Sequence, residues 1–542
     1  MPVAPTYPGI YIEEVSSGVR TITGVATSVT AFFGRTKWGD HDLAITIDSF
    51  GDFERQFGGL LLDAPMTFAV RDFFMNGGGR AIIVRLFHSL SSTDEGVAQI
   101  TVLGSGGSSS SSSASASLQL VAASPGVWGN DLTVEVLASP PLEADVAARY
   151  NAAPDAFFNL KVSYLADNPE RRQVEVINNL TATSGSSRRF DKVLERESQF
   201  VRARLDGSDN PVTTSLPAPG VANASSAFGG NDGGGLDVAD FEGSELAKTG
   251  MYALDRTERV DIFNLLCIPP DAPGSTIPLG LYATAMSFCK ARRAMFIADP
   301  PSDWHGNDVI STVKTGLSTL GLTGVDARNA ALFFPRVKMP NPLLGDQTEE
   351  FVPCGIVAGV MARTDADRGV WKAPAGIDGA MNGVQELLVG LTDGENGTLN
   401  QIGVNCLRKF PVFGHVVWGA RTTRGADQAA DEYKYIPVRR LALYIEETLF
   451  RALKWVVFEP NDEPLWSQIR LNVGAFMQDL FRQGAFQGKS PQEAYLVKCD
   501  KETTTQSDIN RGVVNIVVGF APLKPAEFVV IKIQQLAGQL QA

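Results

Sequence analysis

The sequence predicts a multidomain chain of mixed α/β and α+β class, with a doubly wound α/β core, an inserted β-rich domain and a C-terminal α+β domain. From residue 250 onward, short apolar strands ended by Pro alternate with helical stretches. Flexible joints enclose a run of alternating strands at 96–240, and two long amphipathic helices lie in the last third. A chain of 542 residues exceeds what one hydrophobic core supports, so we expect three or four domains.

The core is predicted from two separate parts of the chain. The first part contains strands at 24–36 ("GVATSVTAFFGRT") and 79–87 ("GRAIIVRLF"), with helices at 49–59 and 66–78 between them. The second part contains the predicted strands 263–270, 294–301 and 329–337 and the predicted helices 279–292 and 308–320. Short apolar runs that end at Pro are typical of buried parallel strands.

The inserted domain is predicted from its two joints. "GSGGSSSSSSASAS" (104–117) is a flexible linker with nothing to bury, and "FGGNDGGG" (228–235) closes the segment. Between the joints, "DLTVEVLAS", "FFNLKVSYL" and "RQVEVINNL" alternate as strands do, and 187–205 has the pattern of an amphipathic helix.

The C-terminal domain is predicted from helices at 438–458 and 464–483. On the first helix, Glu447 and Arg451 are spaced to pair on the outer face. On the second, the apolar face is committed to the core by Trp466, Ile469, Val473, Phe476 and Leu480.

A short strand is predicted close to each end of the chain. "YPGIYIEEV" (7–15) and "FVVIKI" (528–533) are both apolar and flanked by Pro, Gly or Ser. Chain ends fray unless another element holds them, so each strand needs a sheet to join.

Composition excludes several classes of function. The net charge of −13 and the pI near 5.0 argue against a general nucleic-acid binder. Five scattered Cys without a CxxC pair indicate reduced thiols. We find no secretory signal and no apolar run long enough to span a bilayer, so we expect synthesis in the cytoplasm and no direct membrane insertion.

The search for catalytic or ligand-binding motifs predicts no catalytic, cofactor or metal site, and therefore no enzyme. The four His lie outside any HExxH motif, and neither GxSxG nor GxxxxGK[ST] occurs. "NGGGR" (76–80) is interpreted as a turn, "DWHGND" (303–308) as a solvated loop, and "TDGENG" (392–397) as a turn. The basic clusters "RKF" (408–410) and "VRR" (438–440) are expected to be solvated or paired.

Long stretches of the chain strongly resemble contractile tail sheath proteins. The stretches are "YPGIYIEEVSSGVRTITGVATSVTAFFGRT" (7–36), "DRGVWKAPAG" (367–376), "LNQIGVNCLRKFPVFGHVVWGARTT" (399–423), "YKYIPVRRLALYIEET" (433–448), "VFEPNDEPLW" (457–466), "EAYLVKCDKETTT" (493–505) and "APLKPAEFVVIKI" (521–533). "SPGVWGNDLTVEV" (124–136) matches more weakly and resembles the variable outer domain of phage sheaths. The family's middle domain is sometimes called subtilisin-like for its α/β fold, which implies no protease.

The resemblance implies a structural subunit that forms stacked six-membered rings around an inner tube and contracts to drive that tube through a target envelope. It also implies that the terminal strands pair with sheets of neighbouring subunits, with Ser16-Ser17-Gly18 and Pro522 to Pro525 as hinges. Its implied partners are further copies of the chain, the inner tube protein, and baseplate and tail terminator proteins. A hydrolase of α/β fold and a non-contractile tubular protein remain as alternatives, and phage tail, bacteriocin and extracellular injection particle all stay open.

These implications assign sites and boundaries along the chain. The expected inter-subunit strand residues are Tyr7, Ile10, Tyr11, Ile12 and Val15 at the N-terminus and Phe528, Val529, Val530, Ile531 and Ile533 at the C-terminus. Arg470 and Arg482, on the helix at 464–483, are expected to contact the inner tube. The expected domains are an N-terminal arm (1–20), the first part of the core (21–95), the inserted outer domain (96–240), the α/β core (241–400), a C-terminal α+β domain facing the tube (401–520) and a C-terminal arm (521–542).

Overall fold

The computed structural model describes residues 20–91, 94–103, 116–165, 171–206, 210–211, 217, 219–225, 229–306 and 308–532. The strands are β1 (Thr30–Gly34), β2 (Ala44–Ile47), β3 (Ala81–Arg85), β4 (Gln99–Leu103), β5 (Ala116–Ala122), β6 (Leu132–Leu137), β7 (Phe157–Tyr164), β8 (Gln173–Thr181), β9 (Val201–Ala203), β10 (Gly220–Ser225), β11 (Leu265–Cys267), β12 (Met295–Ala298), β13 (Ala330–Phe334), β14 (Val337–Asn341), β15 (Gln347–Phe351), β16 (Glu386–Leu387), β17 (Val404–Phe410), β18 (Gly414–Val417), β19 (Tyr495–Lys498) and β20 (Val517–Phe520). The helices are α1 (Phe50–Phe57), α2 (Pro65–Met75), α3 (Ala144–Arg149), α4 (Phe190–Glu197), α5 (Val238–Glu242), α6 (Leu279–Ala291), α7 (Val309–Thr319), α8 (Cys354–Arg368), α9 (Asp393–Asn400), α10 (Ile436–Ala452), α11 (Glu463–Arg482), α12 (Pro491–Ala494) and α13 (Gln506–Asn510).

The core is built on a mainly parallel sheet whose strands run in the order β18-β17-β13-β12-β11-β1-β3-β2. The strands from β17 to β3 pair in parallel, and β18 and β2 close the two edges in antiparallel orientation. The two separated parts of the predicted core therefore join where β1 pairs with β11. The mixed α/β, multidomain class predicted from the sequence is confirmed.

Helices cover both faces of this sheet because successive strand residues point to opposite sides. Phe32 packs toward α1, α2 and α8, and its ring lies 5.6 Å from that of Phe73. Phe33 faces the other cluster, which contains apolar side chains of α6 and α7. Strands buried on both sides explain the continuous apolar runs in the sequence.

The β-rich segment forms a separate sheet with the order β8-β7-β6-β10-β4-β5-β9. All of its pairings are antiparallel, and it encloses its own apolar cluster together with α4. The cluster includes Trp128 and Phe190, which are both buried.

The C-terminal region packs α10, α11 and the hairpin of β19 and β20 around a further apolar cluster. Asp462 caps α11 by accepting from the backbone N–H of Leu465, and Pro464 lies in the first turn, as the sequence indicates. Residues with inward side chains include Trp466, Ile469 and Val473, all of which are buried.

The helix predicted at 187–205 is wrong in its second half. α4 ends at Glu197, and β9 then pairs with β5. The backbone N–H of Gln199 donates to Glu175 Oε2 at 3.0 Å, and the Ser198 hydroxyl donates to the other oxygen of the same carboxylate. This tertiary contact ends the helix before its amphipathic pattern stops.

The turn predicted at 392–397 is also wrong, because α9 begins there. Thr392 and Glu395 form a capping box in which each side chain bonds the other residue's backbone N–H. The reciprocal bonds satisfy two N–H groups at the start of the helix and offset the low helix propensity of Gly394 and Gly397.

α10 is shorter than the predicted range 438–458, since a 3₁₀ turn at Lys454–Val456 follows it. The predicted pair of Glu447 and Arg451 is present, at 2.5 Å between Oε1 and Nε. Its predicted outward position is wrong, because Glu447 is buried and also bonds Arg293 at 2.5 Å.

The predictions for the other polar motifs are confirmed. "NGGGR" forms the turn between α2 and β3, and the described residues of 303–308 form a loop without regular structure. The arginines of the two basic clusters are paired within the chain, through Arg408–Asp393, Arg439–Glu446 and Arg440–Asp365.

Candidate assembly interface

The hairpin of β19 and β20 is a two-stranded sheet with no further strand beside it in the part of the chain that the structure describes. Its register pairs Tyr495 with Phe520 and Lys498 with Val517. Leu496 is 55% exposed and Val517 is 46% exposed. Isolated two-stranded sheets are marginal in water, so this one depends on packing or on added strands.

One face of this hairpin is held by aromatic contacts. The ring of Phe486 lies 5.9 Å from that of Phe520 and 6.2 Å from that of Tyr495. The Tyr495 hydroxyl donates to Gln478 Oε1 on α11 at 2.9 Å. The hairpin is therefore fixed on α11 while its edges stay open.

The C-terminal arm leaves the hairpin directly after β20. Ala521 makes two backbone hydrogen bonds, to Ala494 and Gln487. Pro522 then forms an isolated antiparallel bridge with Phe486, and residues 523–532 have no regular structure, so the predicted strand at 528–533 has no strand partner within the described chain. Its four apolar residues Phe528 to Ile531 are 74–82% exposed. Ile533 lies outside the described residues.

A buried arginine holds the arm to the core. Arg421 Nε and Nη2 donate to the two oxygens of Glu527 at 2.7 and 2.6 Å. The Tyr435 hydroxyl donates to Glu527 Oε2 at 3.1 Å. Arg421 is 1% exposed, whereas the side chain of Glu527 is 15% exposed. We call Arg421, Tyr435 and Glu527 the arm clasp.

The surroundings of Arg421 make the clasp rigid. Its backbone N–H donates to Asn405 Oδ1 on β17 at 2.7 Å, and Asn405 Nδ2 donates to its carbonyl at 2.7 Å. Its Nη1 donates to the Asn400 carbonyl at 2.8 Å and to Asp427 at 2.9 Å. Burial alone raises the pKa of Glu527, but the hydrogen bonds and charge of Arg421 outweigh it and lower the pKa below its ordinary value.

A groove of about 700 Å³ lies between the arm and the core. Trp371 and Trp418 line the core side, and Leu523 and Phe528 line the arm side. The arm is therefore a wall of this groove and does not fill it.

The N-terminal end of the described chain also lies in the C-terminal region. The backbone N–H of Arg20 donates to Asn472 on α11 at 3.1 Å, and its guanidinium lies 4.6 Å from the centre of the Trp455 ring. Further along, Arg440 of α10 donates to the Thr27 carbonyl at 2.9 Å. The predicted strand residues Tyr7, Ile10, Tyr11, Ile12 and Val15 lie outside the described residues.

The two arginines predicted to contact an inner tube differ in their surroundings. Arg470 donates to Glu463 at 2.6 Å, to the Ser467 hydroxyl at 2.9 Å and to the Cys499 carbonyl. Arg482 is 72% exposed and lies 3.7 Å from Asp479. The cation of Arg482 is therefore the more available of the two.

The histidine and cysteine side chains described next are held in contacts that support the fold. His88 Nδ1 lies 2.9 Å from Asp240 Oδ2, and Asp240 and Asp237 form the capping box of α5. The cysteines are all buried. Burial raises the pKa of the Cys289 and Cys354 thiols well above the ordinary value, which disfavours the nucleophilic thiolate. Across the described residues, no helix combines the length and apolar character needed to cross a membrane.

Sequence reasoning missed the arm clasp. Its two charged residues are 106 positions apart, and each is a single charge inside an otherwise ordinary stretch ("GARTT" and "PAEF"). Only the pairing of β13 and β17 in the sheet, and the position of Asn405 on β17, bring Arg421 to the arm.

Two family models match the chain over the core and the C-terminal region. Residues 281–423 match the phage tail sheath protein central domain, and residues 428–535 match the phage tail sheath C-terminal domain.

Two curated proteins that are similar to this chain are named tail sheath proteins. The tail sheath protein of Vibrio phage KVP40 is 25% identical over 359 residues, which cover 63% of this chain and 51% of that protein. The tail sheath protein of Enterobacteria phage T4 is 28% identical over 156 residues, which cover 29% of this chain and 22% of that protein. The match thus spans about half the length of the first relative and less of the second.

Solved sheath structures share the fold over nearly the whole chain. The sheath complex of the extracellular contractile injection system PVC, in the contracted state, has a TM-score of 0.56 at 20% identity and covers 98% of this chain and 99% of that chain. The anti-feeding prophage helical sheath in the contracted state has a TM-score of 0.54 at 23% identity, covering 98% and 100%. A sheath tail protein from Desulfitobacterium hafniense has a TM-score of 0.55 at 13% identity, covering 95% and 100%.

The matched domains and the curated relatives are those of phage tail sheath proteins, and sheaths of contractile injection systems share the fold. These matches support assignment of the chain to the contractile tail sheath family.

Proposed function

We propose that this protein is the sheath subunit of a contractile particle. Copies stack as six-membered rings around an inner tube, and contraction of the rings drives the tube through a target cell envelope. The inner tube protein and the baseplate and tail terminator proteins are its partners, and the assembled sheath belongs to a phage tail or an extracellular injection particle. No nucleotide or cofactor is required.

One observation carries this proposal. Four consecutive apolar residues, Phe528 to Ile531, are 74–82% exposed, and they follow a two-stranded sheet without further strands beside it in the described chain. A run of exposed apolar residues and an open sheet edge are both unfavourable in an isolated subunit. Pairing the arm of one copy with the hairpin of another removes both at once.

The free energy gained by pairing one exchanged arm is modest, and many such arms act together in a polymer. Each backbone hydrogen bond contributes roughly 1 kcal/mol net, and two of the four apolar side chains face the sheet, each contributing about 1.5–3 kcal/mol on burial. Ordering the arm opposes part of this gain. The remaining few kcal/mol per arm, repeated around each ring, hold the lattice together while single contacts stay reversible.

In this proposal, contraction releases energy stored in the extended lattice. The arms keep neighbouring subunits connected while each subunit rotates into new contacts. The connected hairpins then transmit movement from ring to ring.

Electron microscopy of the purified full chain tests the proposed function. We expect striated tubes, present either in two lengths or as one short, wide form. Smooth tubes of a single length and width would favour the non-contractile alternative. A sample that stays monomeric at all concentrations would contradict a sheath.

Deleting residues 1–20 tests the strand exchange. We expect a folded, soluble monomer that no longer polymerises, because the proposed partners of the arm's strand lie in another chain. The deletion also removes the contacts of Arg20 with Asn472 and Trp455 of its own chain, so the fold is checked separately. Replacing Val529 and Ile531 by Pro should have the same effect, since Pro removes backbone donors from the added strand. Circular dichroism checks the fold, and sedimentation measures the polymer. Normal tubes from either variant would disprove the exchange.

A further inference from the structure

We propose that the arm clasp of Arg421, Tyr435 and Glu527 determines where the C-terminal arm leaves the subunit, and so positions the arm for its contact with a second copy of this chain. The inference rests on the proposed function. It assigns Glu527 as a positioning residue that does not itself contact the neighbouring subunit.

The clasp is the last fixed point of the arm within its own subunit. Between Leu523 and Lys532, the hydrogen bonds that the structure describes to the rest of the chain all involve the Glu527 carboxylate. The exposed apolar residues start at the next position, Phe528. Pro522 is bridged to Phe486, so an arm without the clasp would be free from Leu523 onward. Its exposed apolar residues could then occupy many positions relative to the subunit.

The geometry of the clasp suits a positioning role. A guanidinium that donates two parallel hydrogen bonds to a carboxylate fixes distance and orientation together. Arg421 is itself held by Asn405 of β17, which lies beside the edge strand β18 of the core sheet. The origin of the arm is therefore tied to the core, and not only to the hairpin from which it emerges.

Asp427 provides a matched control. Its carboxylate lies 2.9 Å from Arg421 Nη1, so its removal also takes one negative charge from the same guanidinium. Asp427 lies near Arg421 in sequence and makes no described hydrogen bond to the arm. Replacing Asp427 thus tests the effect of removing a negative charge beside Arg421. Replacing Glu527 removes a negative charge and also breaks the link between Arg421 and the arm.

The experiment measures the critical concentration for polymerisation of the full-length chain by sedimentation. We expect Glu527→Ala to raise this concentration about tenfold or more, equivalent to about 1.4 kcal/mol per added subunit. Asp427→Ala should stay within about twofold of the unmodified protein. Glu527→Gln, which keeps the length and one acceptor, should give an intermediate value.

Two further measurements distinguish a failure of the positioning role from a failure of the proposed function. If circular dichroism shows that Glu527→Ala does not fold, Tyr435→Phe and Glu527→Gln test the positioning role in its place. Both variants should raise the critical concentration for polymerisation. A chain truncated at residue 520 tests the proposed function itself, since its polymerisation would remove the need for an arm. If truncation abolishes polymerisation while the Glu527 and Tyr435 variants match Asp427→Ala, the positioning role is overturned and the strand exchange stands.

Discussion

Glu447 on α10 is buried but carries its charge between two arginines. Its carboxylate lies 2.5 Å from Arg293 and 2.5 Å from Arg451, and Arg451 also bonds Asp261 at 2.6 Å. Burial by itself raises the pKa of Glu447, yet the hydrogen bonds of Arg451 and Arg293 leave that pKa below its ordinary value of 4.5. The network therefore connects α10 to the core through a carboxylate that stays ionised at neutral pH.

Replacing Glu447 with Gln should lower the free energy of unfolding by about 2 kcal/mol at pH 7. Since the folded pKa is depressed, the folded state takes up this proton less readily than the unfolded state. The contribution is thus fully present above about pH 4.5 and is lost as pH falls through the folded pKa. Urea unfolding of the unassembled chain at neutral pH and near pH 3 measures it. An equal gap between the two proteins at both pH values would contradict this account.

The sequence predicts local charge pairs and misses distant ones. Glu447 and Arg451 are four positions apart on a helix, so their pairing follows from helical geometry alone. Neither the second partner, Arg293, nor the burial of the pair follows from that spacing. The arm clasp of Arg421 and Glu527 is set entirely by tertiary structure, because a buried ion pair depends on which strands meet.

At the scale of elements, α11 has one face committed to the core and the other free of it. Its inward residues include Trp466 and Ile469, whereas Arg482 at its end is 72% exposed and only loosely paired. Arg470 is held by Glu463, Ser467 and the Cys499 carbonyl. If α11 faces an inner tube, as the resemblance to tail sheath proteins implies, Arg482 is the residue that can exchange its weak ion pair for a contact with the tube.

Arg482→Glu should weaken co-assembly with the inner tube protein while leaving sheath self-assembly unchanged. An exposed ion pair contributes up to about 1 kcal/mol, and the replacement also adds a repulsive charge if the tube surface is acidic. The loss should shrink as salt rises, because screening weakens the original attraction. Co-sedimentation with the tube protein measures it. Lys192→Glu on α4, an exposed position with the same charge change, is the control; equal behaviour of the two variants would exclude Arg482 as a tube contact.

Element prediction succeeded where local pattern decides and failed where local and tertiary contacts compete. α1, α6 and α11 follow their apolar periodicity, and the predicted strands of the core sheet are present. The segment of α9 is acidic and Gly-rich, which favours a turn, whereas the capping box of Thr392 and Glu395 starts a helix there. α4 was predicted too long because the Glu175 carboxylate that ends it lies on another strand.

At the scale of the whole molecule, the β-rich segment contacts the core at residues between β1 and β2 and at the end of β3. The ring of Trp38 lies 5.6 Å from that of Trp128 and 5.4 Å from that of Tyr164, and Arg85 donates to the Pro125 carbonyl at 2.7 Å. The segment predicted at 96–240 ends inside α5 (Val238–Glu242), whose buried Phe241 packs in the core cluster. An excision that spares the core should therefore end before α5.

The two ends of the segment meet, so it can be removed with little strain on the rest. The backbone N–H of Asn231 donates to the Gly96 carbonyl at 3.1 Å, and its side chain bonds Asp94 at 2.9 Å. A short Gly/Ser linker in place of 97–229 thus joins positions that are already adjacent.

We expect this excised protein to fold and to form tubes, because the proposed lattice contacts involve the arms and the hairpin of β19 and β20. Excision exposes Trp38, so the excised chain should be compared with a version carrying Trp38→Gln, which removes the new apolar surface. Circular dichroism verifies the fold, and electron microscopy measures tube formation. If both excised proteins fold but neither polymerises under conditions where the full chain does, the β-rich segment carries lattice contacts and its peripheral assignment is wrong.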